Sequence, residues 1–300
     1  MNNLPLSKQV EIISALCEGI GQRAVSRLFD TDRKTVARLA LRVGRGCAEL
    51  HDRMMVGLRV NRIELDEIWG YVGKKQKRVE RHEIAAKGDQ YTYIALGSST
   101  RAIITYRTGK RDGETTDNFV QDLRGRVLGV PEISTDGYLP YQNAIRDAFN
   151  GKAHHGVIVK TYSVTNLAVK DAARRYSPAE VVAVEHQVVS GFPVKISASY
   201  VERQNLTLRM GQKRFARLTN GFSKKLDCHL SAVSLYVAHY NLCRVHESLR
   251  CTPAMALGIT DRVWTIADLI EAALATQPIN PVPSAPDRRK RFAVIQGGKK

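Results

Sequence analysis

The chain has 300 residues, of which 43% are hydrophobic, so it is long enough for two modest domains with a sizeable core. Its 46 Lys and Arg residues against 29 Asp and Glu residues give a formal net charge of +17, which excludes an acidic disordered protein. Such an excess favours a polyanionic partner, nucleic acid first and an anionic membrane second, while a basic protein whose charge serves only solubility stays open.

Cysteine usage and the lack of long apolar runs indicate the compartment. The five cysteines are an odd number and no two have C-x-x-C spacing, which argues against a disulfide framework and a zinc ribbon and fits a reducing cytoplasm. The chain does not start with a basic stretch and an apolar run, and it holds no run of about 18 apolar residues. We therefore expect a cytoplasmic protein with no signal peptide and no membrane partner.

Residues 1–55 predict three short helices. Ser7 can cap the first, the second covers 22–29, and Asp32 can cap the third. A short helix, a tight turn and a basic-faced helix are typical of a helix-turn-helix domain, whose third helix would enter the DNA major groove. A generic three-helix bundle with a solvated basic face is the alternative, and Asp30 stands where the turn usually has glycine. The predicted DNA-binding residues of this region are Arg33, Lys34 and Arg38.

Strands and helices are predicted between residues 60 and 224. Alternating apolar residues indicate strands, and apolar residues at helical spacing indicate helices. Their order is strand 62–69, strand 91–96, strand 102–107, helix 114–127, strand 132–135, helix 141–149, strand 157–162 and a long helix from about 199. Strands joined by short turns, followed by strands joined through helices, predict an α/β fold with a mixed sheet and flanking helices.

Three carboxylates lie where this order of elements can bring them together. Asp66 is in the middle of the first strand, Asp136 ends the fourth, and Glu202 is in the first turns of the last helix. If the two strands are neighbours, the acids converge and repel one another unless divalent cations neutralise them. Glu64 could take the role of Asp66. Glu67 alternates to the opposite face of the strand, so only one of the adjacent pair Asp66 and Glu67 is expected to take part in the site. Taken singly, each acid also suits an exposed strand, a turn or a solvated helix.

The helix that carries Glu202 continues with an amide and two cations on the same face. This order of side chains suits a metal ion bound near the start of the helix and a phosphate backbone bound further along it. An ordinary basic helix is the alternative. Residues 203–250 hold nine basic and two acidic side chains, a net of +7, against eight and five, a net of +3, in the first fifty residues. The predicted DNA-binding residues of this helix are Asn205, Arg209 and Lys213.

The remaining segments are assigned from composition and spacing. Residues 164–198 are a possible β-rich insertion, and 225–276 form a C-terminal helical region. Residues 277–300 contain four of the ten prolines and are predicted to be a disordered basic tail. The histidines and cysteines around 228–246 match no strong zinc-site spacing, so no zinc is expected.

Several sequence motifs resemble one known family. They are YVERQNLTLR at 200–209, RFARLTNGFSK at 214–224, LDEIWGYVGKK at 65–75, STDGY at 134–138 and YNLCRVHESLRCTPA at 240–254. Through these motifs the chain resembles the DDE transposases of bacterial insertion sequences, most closely the family of insertion sequence one.

That resemblance implies a ribonuclease H-like catalytic domain over 60–224 behind the helix-turn-helix domain. Asp66, Asp136 and Glu202 would be its catalytic, metal-binding triad, with two Mg²⁺ or Mn²⁺ ions as cofactor. The implied reaction is cleavage of DNA at the element's terminal inverted repeats, which frees a 3′-hydroxyl that then attacks target DNA. Joining two ends implies a homo-oligomer, at least a dimer on DNA, associated with the nucleoid in a bacterial cytoplasm.

Other functions stay open from the sequence. A ribonuclease H-like nuclease would only hydrolyse DNA, and a helix-turn-helix regulator would bind DNA without catalysis. A decayed, inactive copy of a transposase is a third alternative, against which the presence of all three acids argues.

Overall fold

The computed structural model describes residues 4–162, 181–216 and 220–275. Helices lie near both ends of this range and between the strands. They are α1 (Leu6–Cys17), α2 (Gln22–Leu28), α3 (Arg33–Met54), α4 (Gly113–Arg126), α5 (Pro140–Ala148), α6 (Ser199–Gly211), α7 (Leu226–Leu242), α8 (Pro253–Ala256) and α9 (Ile266–Leu274). None of the helices in these described ranges has both the length and the apolar character needed to cross a membrane.

The described residues form eight strands, six of which make one mixed sheet. The strands are β1 (Leu58–Arg59), β2 (Arg62–Val72), β3 (Gly88–Gly97), β4 (Ile103–Gly109), β5 (Val127–Leu128), β6 (Glu132–Asp136), β7 (His154–Tyr162) and β8 (Val181–Ser190). The sheet has the order β4-β3-β2-β6-β7-β8, and β1 and β5 form a separate parallel pair. Strand β6 is parallel to β2 and β7, and the other neighbours are antiparallel. The predicted α/β fold with a mixed sheet and flanking helices is confirmed, and it is compatible with a ribonuclease H-like fold.

Alternation along β2 gives the sheet two apolar faces, each covered by helices. Ile63 and Leu65 share one core with Phe119 of α4. Ile68 is out of phase with them and packs on the other face, in a core that includes Val201 of α6. The two faces of β2 therefore pack into separate apolar cores.

The N-terminal helices share a core with the C-terminal helices. Ile12 of α1 belongs to the same cluster as Leu235 of α7 and Ile270 of α9. Gly44 of α3 lies against the backbone of α7, where a Cβ atom would stand 2.2 Å from the Ser231 carbonyl oxygen. Only glycine allows this close crossing, so the common core fixes the three N-terminal helices to the C-terminal helical region.

The turn between α2 and α3 explains the unusual Asp30. Its φ of +44° is a left-handed conformation that favours glycine but that Asp tolerates better than most residues. Asp32 then caps α3 as predicted, because its carboxylate accepts hydrogen bonds from the N–H groups of Lys34 at 2.9 Å and Thr35 at 3.3 Å. The three helices are present, and the DNA-binding role of a helix-turn-helix domain stays a prediction.

The β-rich stretch that the sequence indicates after 164 contributes the edge strand of the main sheet. Strand β8 pairs antiparallel with β7, from Tyr162↔Val181 to His155↔Ser190. Residues 163–180, and the basic tail predicted at 277–300, lie outside the described residues.

Candidate active site

The pairing of β2 with β6 brings Asp66 and Asp136 to the same edge of the sheet. The last parallel pair of these strands is Glu64↔Ser134, and each Asp follows its member of that pair by two residues. Side chains two residues apart in a strand point to the same face. Both Asp side chains therefore lie on one face of the sheet, just past the last paired residues. The prediction that these two strands are neighbours is confirmed.

The carboxylate of Glu67 joins this pair. Asp66, Glu67 and Asp136 each offer one oxygen, and the three oxygens lie within 4.8 Å of one another. Alternation along β2 therefore does not keep the adjacent acids apart, and which of them binds a metal stays a prediction. Alternation does turn Glu67 towards α5, where Tyr141 Oη donates to its Oε2 at 2.9 Å. However, β6 pairs with β2 only as far as Glu64 in the described register, so the long side chain of Glu67 reaches the open edge.

Burial and mutual repulsion weaken the acidity of these groups. Burial raises the pKa of Asp66 to about 7, the Glu67 carboxylate adds to this shift, and a hydrogen bond from Asn205 opposes it. Burial also raises the pKa of Glu67, with repulsion from Asp136 acting in the same direction and Arg111 opposing it. A bound divalent cation would favour the charged forms of these carboxylates and so relieve both effects.

Arg111 is a site residue that no sequence motif indicates. It follows β4, its Nε donates to Glu67, and its Nη2 lies 3.7 Å from Asp136 Oδ2. The guanidinium lies 4.0 Å from the centroid of the Tyr138 ring, and the Tyr138 N–H donates to Asp136 Oδ1 at 3.0 Å. Arg111 therefore holds two of the acids together and neutralises part of their charge. The contact depends on where β4 ends in space, which local sequence patterns do not reveal.

Glu202 lies on α6 and is not a member of the acidic group. Its side chain is 46% exposed and forms an ion pair with Lys160 of β7. About one turn further along α6, Asn205 Nδ2 donates to Asp66 Oδ2 at 2.8 Å, so this helix crosses the acidic edge. The structure thus brings Asp66 and Asp136 together with Glu67, and the metal-binding role of Glu202 stays a prediction.

Glu64 has a positioning role on the same strand. It is 2% exposed, and its Oε2 accepts hydrogen bonds from the N–H groups of Tyr200 at 2.8 Å and Val201 at 3.0 Å, in the first turn of α6. Ser98 Oγ donates to its Oε1 at 3.2 Å. A carboxylate suits this place because the first N–H groups of a helix lack partners and carry partial positive charge. Glu64 therefore anchors α6. Of these two acids, Asp66 and not Glu64 belongs to the acidic group.

The residues predicted to bind DNA have different surroundings. Lys213 is exposed just after the end of α6, and Arg209 is half-buried. Asn205 is only 6% exposed, and its amide group is engaged by Asp66. Three residues are exposed at the start of α3: Arg33, Lys34 and Arg38.

The acidic group has the donor chemistry of a site for a hard divalent cation. All its potential ligand atoms are carboxylate oxygens, which suit Mg²⁺ and Mn²⁺, whereas zinc sites are mostly built from nitrogen and sulfur. Beside Asp66, the buried Oδ1 of Asn205 has no hydrogen-bond partner in the described part of the chain. An unpaired buried oxygen next to three carboxylates fits a cation or the water molecules that it carries.

Comparison with known proteins gives a distant relationship. The chain is similar to the insertion element IS1 protein InsB of Shigella flexneri, with 24% identity over 179 residues, which is 59% of this chain and 95% of that protein. No family model matches the chain. The predicted resemblance to insertion-sequence proteins is supported at this level.

Proposed function

We propose that the protein is a transposase that binds the ends of an insertion element and catalyses metal-dependent cleavage and transfer of DNA strands. The observation that carries this proposal is the convergence of Asp66, Glu67 and Asp136 at the edge crossed by α6. The distant similarity to an insertion-element protein supports DNA as the substrate.

The acidic group would hold the cofactor. Asp66 and Asp136 would hold it, with Glu67 or Glu202 as the third carboxylate. Two Mg²⁺ or Mn²⁺ ions, when bound, supply activation of the attacking water or 3′-hydroxyl and stabilisation of the leaving oxygen.

Other residues of the chain orient these acids. Asn205 donates to Asp66 and so fixes the direction of that carboxylate. Arg111 keeps the carboxylates of Glu67 and Asp136 together in the absence of a cation. The acids are therefore preorganised, which spares the cost of gathering them when DNA binds.

Basic residues are the proposed contacts to DNA. Arg33, Lys34 and Arg38, at the start of α3, would contact the terminal inverted repeats, and Arg209 and Lys213 would contact phosphates near the acids.

Because two element ends must be joined to target DNA, we propose a homo-oligomer, at least a dimer on DNA.

Removing single carboxylates tests the catalytic assignment. With DNA that carries the terminal repeats and Mg²⁺, we expect Asp66→Asn and Asp136→Asn each to lower the cleavage rate at least about a hundredfold while binding to the repeats survives. Asp117→Asn, which changes an exposed acid on α4, is the matched control and should keep the wild-type rate. Wild-type cleavage by either site variant would refute the assignment.

The reaction products separate the candidate functions. Joining of the freed 3′ end to a second DNA molecule identifies strand transfer and a transposase. Nicked products alone identify a nuclease that only hydrolyses, which the same acids could support. Repeat-specific binding without any cleavage identifies a regulator.

A further inference from the structure

A wide groove separates the N-terminal helices from the described residues of the connection between α6 and α7. Its volume is about 1330 Å³. The first wall consists of α2 and the start of α3, and it contributes Arg23, Arg27, Arg33 and Lys34. The second wall carries Lys213, Lys224 and Lys225. Among the described residues that line the groove there is no Asp or Glu.

Close backbone contacts hold the two walls at a set separation. Gly19, between α1 and α2, has a φ of +78° and lies against the end of α6, where a Cβ atom would stand 2.6 Å from the Gly211 carbonyl oxygen. On the first wall, Gly44 fixes α3 against α7 at Ser231. Because packed cores resist deformation, the groove is a standing feature of the fold and not the gap of a hinge.

The cations of both walls are available to a ligand. All seven are exposed, and none forms an ion pair with a residue in the described ranges. Like charges around a concave surface repel one another and attract a chain of negative charges. The volume far exceeds that of a single phosphate, so a stretch of sugar–phosphate backbone matches both the size and the charge.

We infer that this groove holds the backbone of the same DNA molecule that the N-terminal helices bind, so that both walls contact one DNA. The inference rests on the proposed function in taking DNA as the ligand. Helix α6 connects the groove with the acids. Asn205 lies at the acidic edge, and Gly211 lies against Gly19 of the groove lining, roughly 9 Å further along the helix axis at about 1.5 Å per residue. DNA in the groove is thereby directed towards the acidic group.

Removing charge from each wall of the full-length protein tests the inference. Binding of a fluorescent duplex that carries the terminal repeat is followed by anisotropy between about 50 and 200 mM KCl. The salt slope is the magnitude of the slope of log affinity against log salt. Each lost phosphate contact lowers this magnitude by about 0.9, so each groove pair should lower it by about two and their combination by about four. The control pair should leave the slope nearly unchanged. The variants are Arg23→Gln/Arg27→Gln, Lys224→Gln/Lys225→Gln and, outside the groove, the exposed control pair Arg107→Gln/Lys152→Gln.

The outcomes separate this inference from the proposed function. If the second-wall pair behaves like the control pair while the first-wall pair lowers the slope, DNA contacts the N-terminal helices alone and the inference is overturned. If the wild-type protein does not bind DNA, the proposed function fails with it. A lowered slope for both groove pairs in a protein that cleaves nothing would support the groove and remove the catalytic proposal.

Cys228 allows a second test that does not depend on charge. Its partly exposed thiol lines the groove, whereas Cys17 and Cys47 are buried. A duplex with an activated disulfide tethered to one backbone phosphate should be attacked by Cys228 in the Cys243→Ser/Cys251→Ser protein, forming a mixed disulfide and releasing the leaving thiol. Adding Cys228→Ser should abolish the crosslink. Equal yields with and without Cys228 would contradict the inference.

Discussion

Two adjacent acids of one strand meet at the edge of this sheet although their side chains start on opposite faces. Asp66 approaches from the face of α6, where Asn205 donates to it, and Glu67 from the face of α5, where Tyr141 donates to it. They can meet because β6 pairs with β2 no further than Glu64 in the described register. The candidate site thus draws carboxylates from both faces at a point where the sheet is open.

Glu67→Gln tests whether the proximity of the Asp66 and Glu67 carboxylates matters for catalysis. The substitution keeps the size of the side chain and an acceptor for Tyr141 but removes the charge, so we expect cleavage with Mg²⁺ to fall at least about tenfold. Glu202→Gln, assayed in parallel, shows which acid completes the metal site, and Glu114→Gln on the surface of α4 is the control. A fully active Glu67→Gln beside an inactive Glu202→Gln would assign the third ligand to Glu202.

At the scale of elements, the sequence predicts the strands and helices that depend on residues close together in the chain. Strand β2 and helix α6 follow from local apolar spacing, and the order of the strands already brings Asp66 and Asp136 together. The contacts of Arg111 and Asn205 could not be predicted. They depend on where β4 ends and on how α6 is rotated over the sheet, and both are set by packing between residues far apart in the chain.

The anchoring of α6 gives a stability prediction. Glu64→Ala would leave the N–H groups of Tyr200 and Val201 and the hydroxyl of Ser98 without their acceptor, so the free energy of unfolding should fall by about 2–4 kcal/mol. Glu64→Gln keeps an acceptor oxygen and should lose less. Urea denaturation measures both variants, and an alanine variant as stable as the wild type would show that this carboxylate does not anchor the helix.

At the scale of the molecule, the shared core joins the two ends of the chain. Ile12 and Val36 pack in one cluster with Leu235, Leu242 and Ile270, so a fragment of residues 1–58 would expose this apolar surface to water. We expect that fragment to lose most of its helical circular dichroism, while the full chain keeps it. A stably helical, monomeric fragment would show that the N-terminal helices fold without the C-terminal region.

Buried histidines make the whole molecule sensitive to acid. Burial lowers the pKa of His51 to about 3 and the pKa values of His155 and His229 to about 4. In the unfolded chain the pKa returns to about 6.5, so at intermediate pH the unfolded state binds more protons than the folded state. The contribution of these histidines to the free energy of unfolding is therefore at its full value above about pH 6.5 and falls as the pH drops towards 4, by up to about 3 kcal/mol for His155 alone.

Urea denaturation at several values between about pH 7.5 and 4.5 measures this decline. His155→Gln can keep a hydrogen bond to Thr135, whose Oγ1 lies 3.0 Å from His155 Nε2, but it cannot take up a proton. Its stability should therefore decline less steeply with falling pH than that of the wild type. His82→Gln changes an exposed histidine and should follow the wild-type curve. If His155→Gln also followed that curve, the loss of stability in acid would have to come from groups other than this buried imidazole.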